Sequence, residues 1–202
     1  MAITTYAELQ SSLATWLERA DLGEVIPDFI TLFEANANRM LRTRQMENST
    51  SLSTVNGEIN IPSDYLNWRS VTWDGNASRE LEYVTPTYLR ARYPSTDAGT
   101  PKIFTIEGLN FVTRSVDDTT GFTFRYYQKI PVLSDANTTN WLLTAHPDAY
   151  LFGSLVEAHA YIPDAEKAIL WKARRDEMLG EIQRLSNVTR GGGQIRPMGW
   201  VV

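Results

Sequence analysis

The chain has 202 residues, of which 43% are hydrophobic and 21% are charged, as in a folded protein with one domain or one domain and an insertion. A net charge of −5 excludes a general polyanion binder, and the lack of cysteine excludes disulfide bonds, thiolate zinc sites and thiol nucleophiles. Neither a signal-peptide pattern nor an apolar run of membrane length is found. We therefore expect a soluble protein that is not secreted and does not enter a membrane.

Two helices are predicted between residues 6 and 45. Thr5 and Glu8 have the spacing of a capping box for the first helix, and Pro27 suits the first turn of the second. Each helix then has an apolar face at helical spacing. The residues on these faces are Tyr6, Leu9, Leu13, Trp16 and Leu17, followed by Phe29, Phe33, Ala37, Met40 and Leu41.

Three arginines, Arg39, Arg42 and Arg44, lie at the end of the second predicted helix. Cations are favoured there by the helix dipole, so a purely structural role is one interpretation. Contact with a neighbouring subunit or with DNA is the other, because guanidinium groups bind carboxylates and phosphates well. The sequence leaves both interpretations open.

The middle of the chain changes to the two-residue period of β-strands. Asn56-Gly57 is a turn pair typical of a tight hairpin, which would place Leu52 and Ile61 on one face. Two more hairpins are expected around Asp74-Gly75 and Glu107-Gly108. A short helix is predicted from Pro86 to Tyr93, and a further strand carries Phe122, Phe124 and Tyr126.

Helical signals return at Pro147 and again after Pro163, with a last helix that ends near Asn187. The apolar stripe of that last helix is predicted to contain Trp171, Met178, Ile182 and Leu185. The whole pattern predicts an α+β fold, in which terminal helices form a small bundle around a central insertion rich in antiparallel β-hairpins.

The predicted organisation has four parts. Residues 1–48 hold the N-terminal helices of the helical body, 49–140 the β-rich insertion with its short helix, 141–188 the C-terminal helices, and 189–202 an extended docking tail. The tail combines three consecutive glycines with large apolar side chains, which either pack back on the body or insert into a partner. We expect insertion, because Pro197 limits the ordering entropy and Trp200 has the size of an interface anchor. The predicted portal- or partner-binding residues are Gly191, Gly192, Gly193, Gln194, Ile195, Arg196, Pro197, Met198, Trp200, Val201 and Val202.

No catalytic, cofactor or metal site is predicted. His146 and His159 lie 13 residues apart and so face directions about 220° apart on a helix. The acidic loop residues Asp117, Asp118 and Asp135 are typical of turns, and a hydrolase or calcium site built from them is the rival interpretation. A second rival is a soluble binding module, for example for a sugar, which would use hairpin aromatics such as Trp68, Trp73 and Tyr83 around a concave site.

Three stretches resemble the head-to-tail adaptor, or head-completion, proteins of tailed bacteriophages. They are "LQSSLATWLERADLGEVIPDFITLFEANANRMLRTRQME" (9–47), "IPSDYLNWRSV" (61–71) and "HPDAYLFGSLVEAHAYIPD" (146–164). The pattern consists of a helix, a Trp-Leu-x-Arg-x-Asp-Leu segment, an Ile-Pro-Asp-Phe-Ile helix start and a basic helix end. None of it is a catalytic signature, so the resemblance implies a scaffold and not an enzyme.

The resemblance implies a structural virion protein at the capsid–tail junction, assembled in the host cytoplasm without a cofactor. Such proteins form a ring, here expected to be a dodecamer, between the portal protein and a tail or nozzle protein. DNA would pass through the bore without sequence-specific binding. In the family the C-terminal segment commonly reaches the portal, which agrees with the separate interpretation of residues 191–202 from their composition.

Overall fold

The structure of the protein, a computed structural model, contains two compact units, and the predicted α+β fold is confirmed. One unit is Met46–Lys129, here called the β unit, and the other, the helical unit, is built from the chain on either side of it. Within the described ranges no helix has both the length and the apolar character needed to cross a membrane. The structure describes residues 3–54, 57–75, 78–94, 99–114, 121–162 and 164–188.

The described chain contains six α-helices and eight strands. The helices are α1 (Tyr6–Leu17), α2 (Ile26–Met40), α3 (Pro86–Arg92), α4 (Trp141–Ala145), α5 (Pro147–Tyr161) and α6 (Ala165–Val188). The strands are β1 (Glu47–Ser53), β2 (Glu58–Asn60), β3 (Tyr65–Trp73), β4 (Arg79–Glu80), β5 (Glu82–Tyr83), β6 (Ile103–Glu107), β7 (Asn110–Thr113) and β8 (Gly121–Gln128).

The first two helices begin as their sequences predict. At α1 the Thr5 hydroxyl accepts a hydrogen bond from the Glu8 amide at 3.3 Å, and the Glu8 carboxylate accepts one from the Thr5 amide at 3.0 Å. This reciprocal capping box satisfies backbone donors that a helix start leaves without partners. Pro27 lies in the first turn of α2, where its missing N–H costs nothing.

The helical unit is organised around α5, against which α1, α2, α4 and α6 all pack. Gly153 allows the closest approach, because a Cβ atom at this position would lie 1.9 Å from Cδ2 of Phe33 on α2. Phe33 is fully buried, and its ring meets the Tyr150 ring edge-on at 5.0 Å between centroids. A glycine is therefore required for α2 and α5 to pack at this distance.

The segment after the β unit is bound along α2. The backbone amide of Ile130 donates to the Asn38 side chain at 2.8 Å, and that of Leu133 donates to the Glu34 carboxylate at 2.9 Å. Glu34 and Asn38 are one helical turn apart and bind residues 133 and 130 respectively, so the segment runs along α2 in the direction opposite to the helix. The structural division consequently lies after Lys129, whereas the sequence placed the end of the insertion at residue 140.

The β unit consists of two four-stranded sheets with the orders β1-β8-β3-β4 and β2-β7-β6-β5. All strand pairs are antiparallel except β5 with β6, which are parallel and connected through α3. Residues from the two sheets form one apolar core between them. Its buried members are Ile59, Val71, Leu81, Phe104, Phe111, Phe122, Phe124 and Tyr126.

Helix α3 covers the other face of the second sheet. Leu89 of α3 is fully buried and packs with Ile103 of β6 and Val112 of β7. The helix begins at Pro86, as predicted, and Thr85 caps it by accepting a hydrogen bond from the Tyr88 amide. The second sheet is therefore covered on both faces, which agrees with the burial of three consecutive residues at the start of β6.

The first predicted hairpin is wrong. Strand β1 pairs with β8 and strand β2 pairs with β7, so the segments on the two sides of Asn56-Gly57 enter different sheets. The Gly57 carbonyl accepts a hydrogen bond from the Thr113 amide at 3.0 Å, which fixes the crossing point. Asn56 itself lies outside the described residues. A local turn pair did not decide the pairing, because β8 offers a longer apolar strand to β1 than β2 does.

The other two predicted hairpins are confirmed. Strands β6 and β7 pair with Glu107 opposite Asn110, and Gly108 has a φ of 60° at the first turn position, where a two-residue hairpin requires a positive value. Strands β3 and β4 pair with Trp73 opposite Arg79, across a turn that includes Asp74-Gly75. Strand β8 lies at the centre of the first sheet and presents Phe122, Phe124 and Tyr126 to the core as predicted.

Candidate functional site

The C-terminal half of α6 is fixed to the segment that leaves α2. The side-chain amide of Gln183 accepts a hydrogen bond from the Arg42 backbone N–H at 2.7 Å and donates one to the Arg42 carbonyl at 3.3 Å. One turn further along α6, the Ser186 hydroxyl accepts from the Arg44 backbone N–H at 3.1 Å. Two side chains three residues apart thus hold the backbone of residues 42–44 against α6.

We call this part of the helical unit the arginine end, defined by residues 39–45 and 182–186. Helix α6 continues from it for two residues to Val188, where the described chain stops before 189–202. The predicted docking tail therefore starts from a segment with a fixed position on the bundle. The tail residues assigned to partner binding, Gly191 to Val202, lie outside the described residues.

The three predicted arginines have different environments. The Arg42 guanidinium donates to the Asn38 carbonyl at 2.7 Å and also to the Leu41 carbonyl, so it binds carbonyl groups at the end of α2. This is the structural interpretation, with a cation at the helix C-terminus. Arg39 and Arg44 are exposed. Arg39 and Arg44 therefore have the surface position that the other interpretation, contact with a subunit or with DNA, requires.

An open pocket of about 510 Å³ lies at the arginine end. Its apolar part is formed by Ile182, which is 6% exposed, and by Leu185, which is 59% exposed. The sequence placed Leu185 on the buried stripe of α6, and this was wrong, because the helix turns Leu179, Ile182 and Ser186 inward. The polar part of the lining comes from Arg44, Gln45, His146 and Ser186.

A buried cation on α6 was not predicted. Arg175 is 7% exposed, and its guanidinium binds the Asp176 carboxylate at 2.9 Å and lies 4.0 Å from the Glu157 carboxylate of α5. A buried guanidinium needs such partners, since an unpaired charge in the bundle would be costly. The burial of Arg175 could not be predicted from the sequence, because its neighbours Arg174 and Asp176 are also charged and the three residues look equally polar.

Three aromatic side chains meet at the surface of the helical unit. Phe152 of α5 stacks on Trp171 of α6 with centroids 5.6 Å apart, and Trp16 of α1 meets Trp171 edge-on at 5.5 Å. Trp16 is 49% exposed, although the sequence placed it on the buried face of α1. This aromatic cluster joins three helices and leaves apolar surface in contact with solvent.

A carboxyl group is buried in the interior of the helical unit. Glu34 is 2% exposed, and its Oε1 atom accepts hydrogen bonds from the Tyr150 hydroxyl and the Leu133 amide, both at 2.9 Å. The Asn140 amide in turn donates to the Tyr150 hydroxyl at 2.6 Å. Burial raises the pKa of Glu34, and burial together with the Glu34 carboxylate raises the pKa of Tyr150. This network joins α2, α5 and the segment after the β unit.

The two histidines and the acidic loop residues have separate environments in the structure. His146 lies between α4 and α5 at the pocket, whereas His159 is buried with Nδ1 4.0 Å from the Asp164 carboxylate, and burial lowers its pKa. Asp135 is exposed in the turn 134–137, and Asp117 and Asp118 lie outside the described residues. No group of three His, Asp or Glu side chains able to hold a metal is found in the part of the chain that the structure describes.

The hairpin aromatics of the β unit are used in packing. Trp68 stacks on Tyr83 at 5.5 Å and meets Phe104 edge-on at 5.3 Å. Trp73 packs instead over Gly75, where a Cβ atom would lie 2.1 Å from the indole ring. Both tryptophans contact the apolar core of the β unit. The contacts found for these rings are thus with the protein itself.

Comparison with known proteins identifies the family of the chain. A family model described as SU10 adaptor protein matches residues 4–197, which is nearly the whole chain. No curated protein matches the chain at a significant level. The protein belongs to the SU10 adaptor protein family, a phage adaptor family whose members are structural proteins of bacteriophages.

Proposed function

We propose that the protein forms a ring that joins the portal vertex of the capsid to the tail and lets DNA pass through its bore. The observation that carries this proposal is the match to a phage adaptor family together with the fixed origin of the C-terminal segment at the arginine end. A fixed base reduces the conformational freedom that the segment loses when it binds a partner. The side-chain bonds from Gln183 and Ser186 provide that rigidity.

The partner of the C-terminal segment in this proposal is the portal protein. Residues 191–193 are three consecutive glycines, which permit any chain direction, and the large apolar residues Ile195, Met198 and Trp200 follow them. Twelve extended residues reach about 40 Å, enough to pass from this protein onto a neighbouring one. The apolar side chains would enter a groove of the portal, with Trp200 as the anchor.

Ring contacts and DNA passage follow from the same proposal. A ring of identical subunits needs heterologous contacts, and exposed apolar side chains such as Trp16 and Leu32 on the helical unit are available for them. Twelve copies would carry a formal charge of about −60, which disfavours adhesion of DNA phosphates during transit. Arg39 and Arg44, the two exposed members of the basic cluster that follows α2, are the cations proposed to face a subunit or the DNA.

The proposed role is assembly and not catalysis. The subunits would be monomeric until a portal offers the docking groove, after which binding of the tail and ring contacts reinforce each other through effective concentration. A tail or nozzle protein would then bind the opposite side of the ring. The finished ring would be a component of the virion, formed in the host cytoplasm.

A portal-binding assay with a truncated chain tests the proposal. Deletion of residues 191–202 should abolish binding to the portal of the same phage while the shortened chain keeps its circular dichroism spectrum and still unfolds cooperatively, since these residues follow α6. The double substitution Arg39→Gln and Arg44→Gln is the comparison, because it changes the surface of the arginine end and leaves the tail intact. Full binding by the truncated chain would contradict the proposal.

A further inference from the structure

We infer that the pocket at the arginine end binds the chain's own C-terminal segment, residues 194–202, until a partner is met. The inference rests on the proposed function only for what releases the segment, namely its binding to the portal. The docking itself is a property of the isolated protein and is tested on it. The segment would thus have two alternative binding sites, one on its own subunit and one on the partner.

The lining of the pocket fits an aromatic side chain. Ile182 and the half-exposed Leu185 provide an apolar wall, and the exposed Arg44 provides a cation at the rim. An indole ring binds such a combination well, with one part against aliphatic carbons and its face near a guanidinium. Gln45 adds an exposed amide that can bind the backbone of an entering chain. Trp200 is the one tryptophan of the segment.

The position of the pocket makes the chain's own segment the nearest occupant. Ile182 lies six residues before Val188, which is about 9 Å along the helix axis. Residues 191–193 are glycines that permit the chain to reverse, and the nine residues after them span up to about 30 Å when extended. The segment is therefore long enough to return to the pocket from the end of α6.

Effective concentration favours the same subunit over a neighbour. A flexible connection of this length holds its end at roughly millimolar concentration near the site. At micromolar protein concentrations a segment from another copy competes poorly with that. Docking would also remove Ile195, Met198 and Trp200 from water, where free apolar side chains promote association.

Disulfide trapping tests the inference directly, because the chain contains no cysteine. The variant Gln45→Cys with Met198→Cys places one thiol at the exposed rim of the pocket and one in the segment. Mild oxidation of the isolated protein at low concentration should give an intramolecular disulfide, visible as a faster-migrating monomer on a non-reducing gel. The matched control, Gly180→Cys with Met198→Cys, uses an exposed α6 position outside the pocket lining and should form far less.

A third substitution shows whether the pocket itself holds the segment. Leu185→Glu in the Gln45→Cys, Met198→Cys background places a charge on the apolar wall at an exposed position, so the fold should be preserved, as circular dichroism can verify. We expect loss of the intramolecular disulfide. Equal trapping at positions 45 and 180, trapping only between two chains, or trapping that Leu185→Glu leaves intact would each overturn the inference.

The outcome is separable from that of the proposed function. If the truncated chain fails to bind the portal while no intramolecular disulfide forms, the proposed function stands and the inference fails. If the disulfide forms and the truncated chain still binds the portal, the pocket binds the segment and the proposed function fails. If both succeed, Leu185→Glu should also increase the portal affinity of the full chain, since the competing site is weakened.

Discussion

The side-chain amide of Gln183 pairs with both backbone groups of Arg42, accepting from its N–H at 2.7 Å and donating to its C=O at 3.3 Å. A glutamine side chain thus acts like the edge of a strand toward the segment that leaves α2. Because Arg42 and Gln183 are 141 residues apart in sequence, the pair ties the two ends of the helical unit together. It also fixes the base of the C-terminal segment.

Replacement of Gln183 by Leu should destabilise the protein by about 1–3 kcal/mol, because the partly buried backbone groups of Arg42 lose their partner. The measurement is the free energy of unfolding in denaturant. Arg184→Gln is the matched control on the next residue, since that arginine is exposed and forms only a surface pair with Glu181. Equal free energies of unfolding for the two variants would show that the Gln183 hydrogen bonds do not contribute to stability.

Two helical glycines should respond in opposite directions to alanine. Gly153→Ala places a methyl group 1.9 Å from the Phe33 ring, and overpacking of about 1–3 kcal/mol exceeds the gain of about 1 kcal/mol in helix propensity. Gly180→Ala meets no atom within 4 Å and should therefore stabilise the protein by up to about 1 kcal/mol. Thermal unfolding of both variants measures the signs, and a stabilised Gly153→Ala variant would contradict the described packing of α2 on α5.

The buried carboxyl group of Glu34 should make the stability of the protein depend on pH. Burial raises the pKa of its carboxyl in the folded state, so its charge reduces stability increasingly as the pH rises from the unfolded-state pKa through the folded-state pKa. In Glu34→Gln the amide oxygen keeps the bonds to Tyr150 and Leu133 without that charge. The stability of the variant relative to the natural protein should therefore increase as the pH rises above the unfolded-state pKa of Glu, about 4.

The comparison is made as a difference between the two proteins, so that the other titrating groups cancel. His159 is one of these groups, because its lowered pKa reduces stability in the opposite direction, as the pH falls below its unfolded-state value. Urea unfolding of both proteins at several pH values gives the difference. A difference that is independent of pH would show that Glu34 has the same pKa in the folded and unfolded chains.

The β unit should fold without the rest of the chain. Its two sheets enclose their own apolar core, and its ends are adjacent because Glu47 of β1 pairs with Tyr127 of β8. Residues 46–129 expressed alone should therefore give a cooperative thermal transition and a β-type circular dichroism spectrum. A non-cooperative transition would show that the unit depends on the helices for its fold.

The sequence predicted helices better than strand pairing, and the reason is physical. Helix starts depend on nearby residues, such as Thr5 with Glu8 or Pro27, so a single sequence contains the information. Strand pairing depends on which distant strand offers the best apolar face. The turn pair Asn56-Gly57 predicted a hairpin, but β1 pairs with β8, about 75 residues away, whose Phe122 and Phe124 complete the core.

The arginine end was only partly predictable. The basic cluster was visible in the sequence, but its division into the capping Arg42 and the exposed Arg39 and Arg44 depends on the position of the α2 carbonyls. The hydrogen bonds of Gln183 and Ser186 could not be predicted from the sequence, because polar residues near a helix end are usually solvated. Their role appears only once α6 is placed beside residues 42–44.

The central claim is that this protein functions as a ring between the portal and the tail. Electron microscopy of the portal complex reconstituted with the full-length protein tests it most directly. We predict a closed ring of identical subunits, twelve by the family resemblance, with the segment after Val188 of each subunit in contact with the portal. A reconstruction with the protein absent from the portal, or attached as single copies that do not contact each other, would contradict the account.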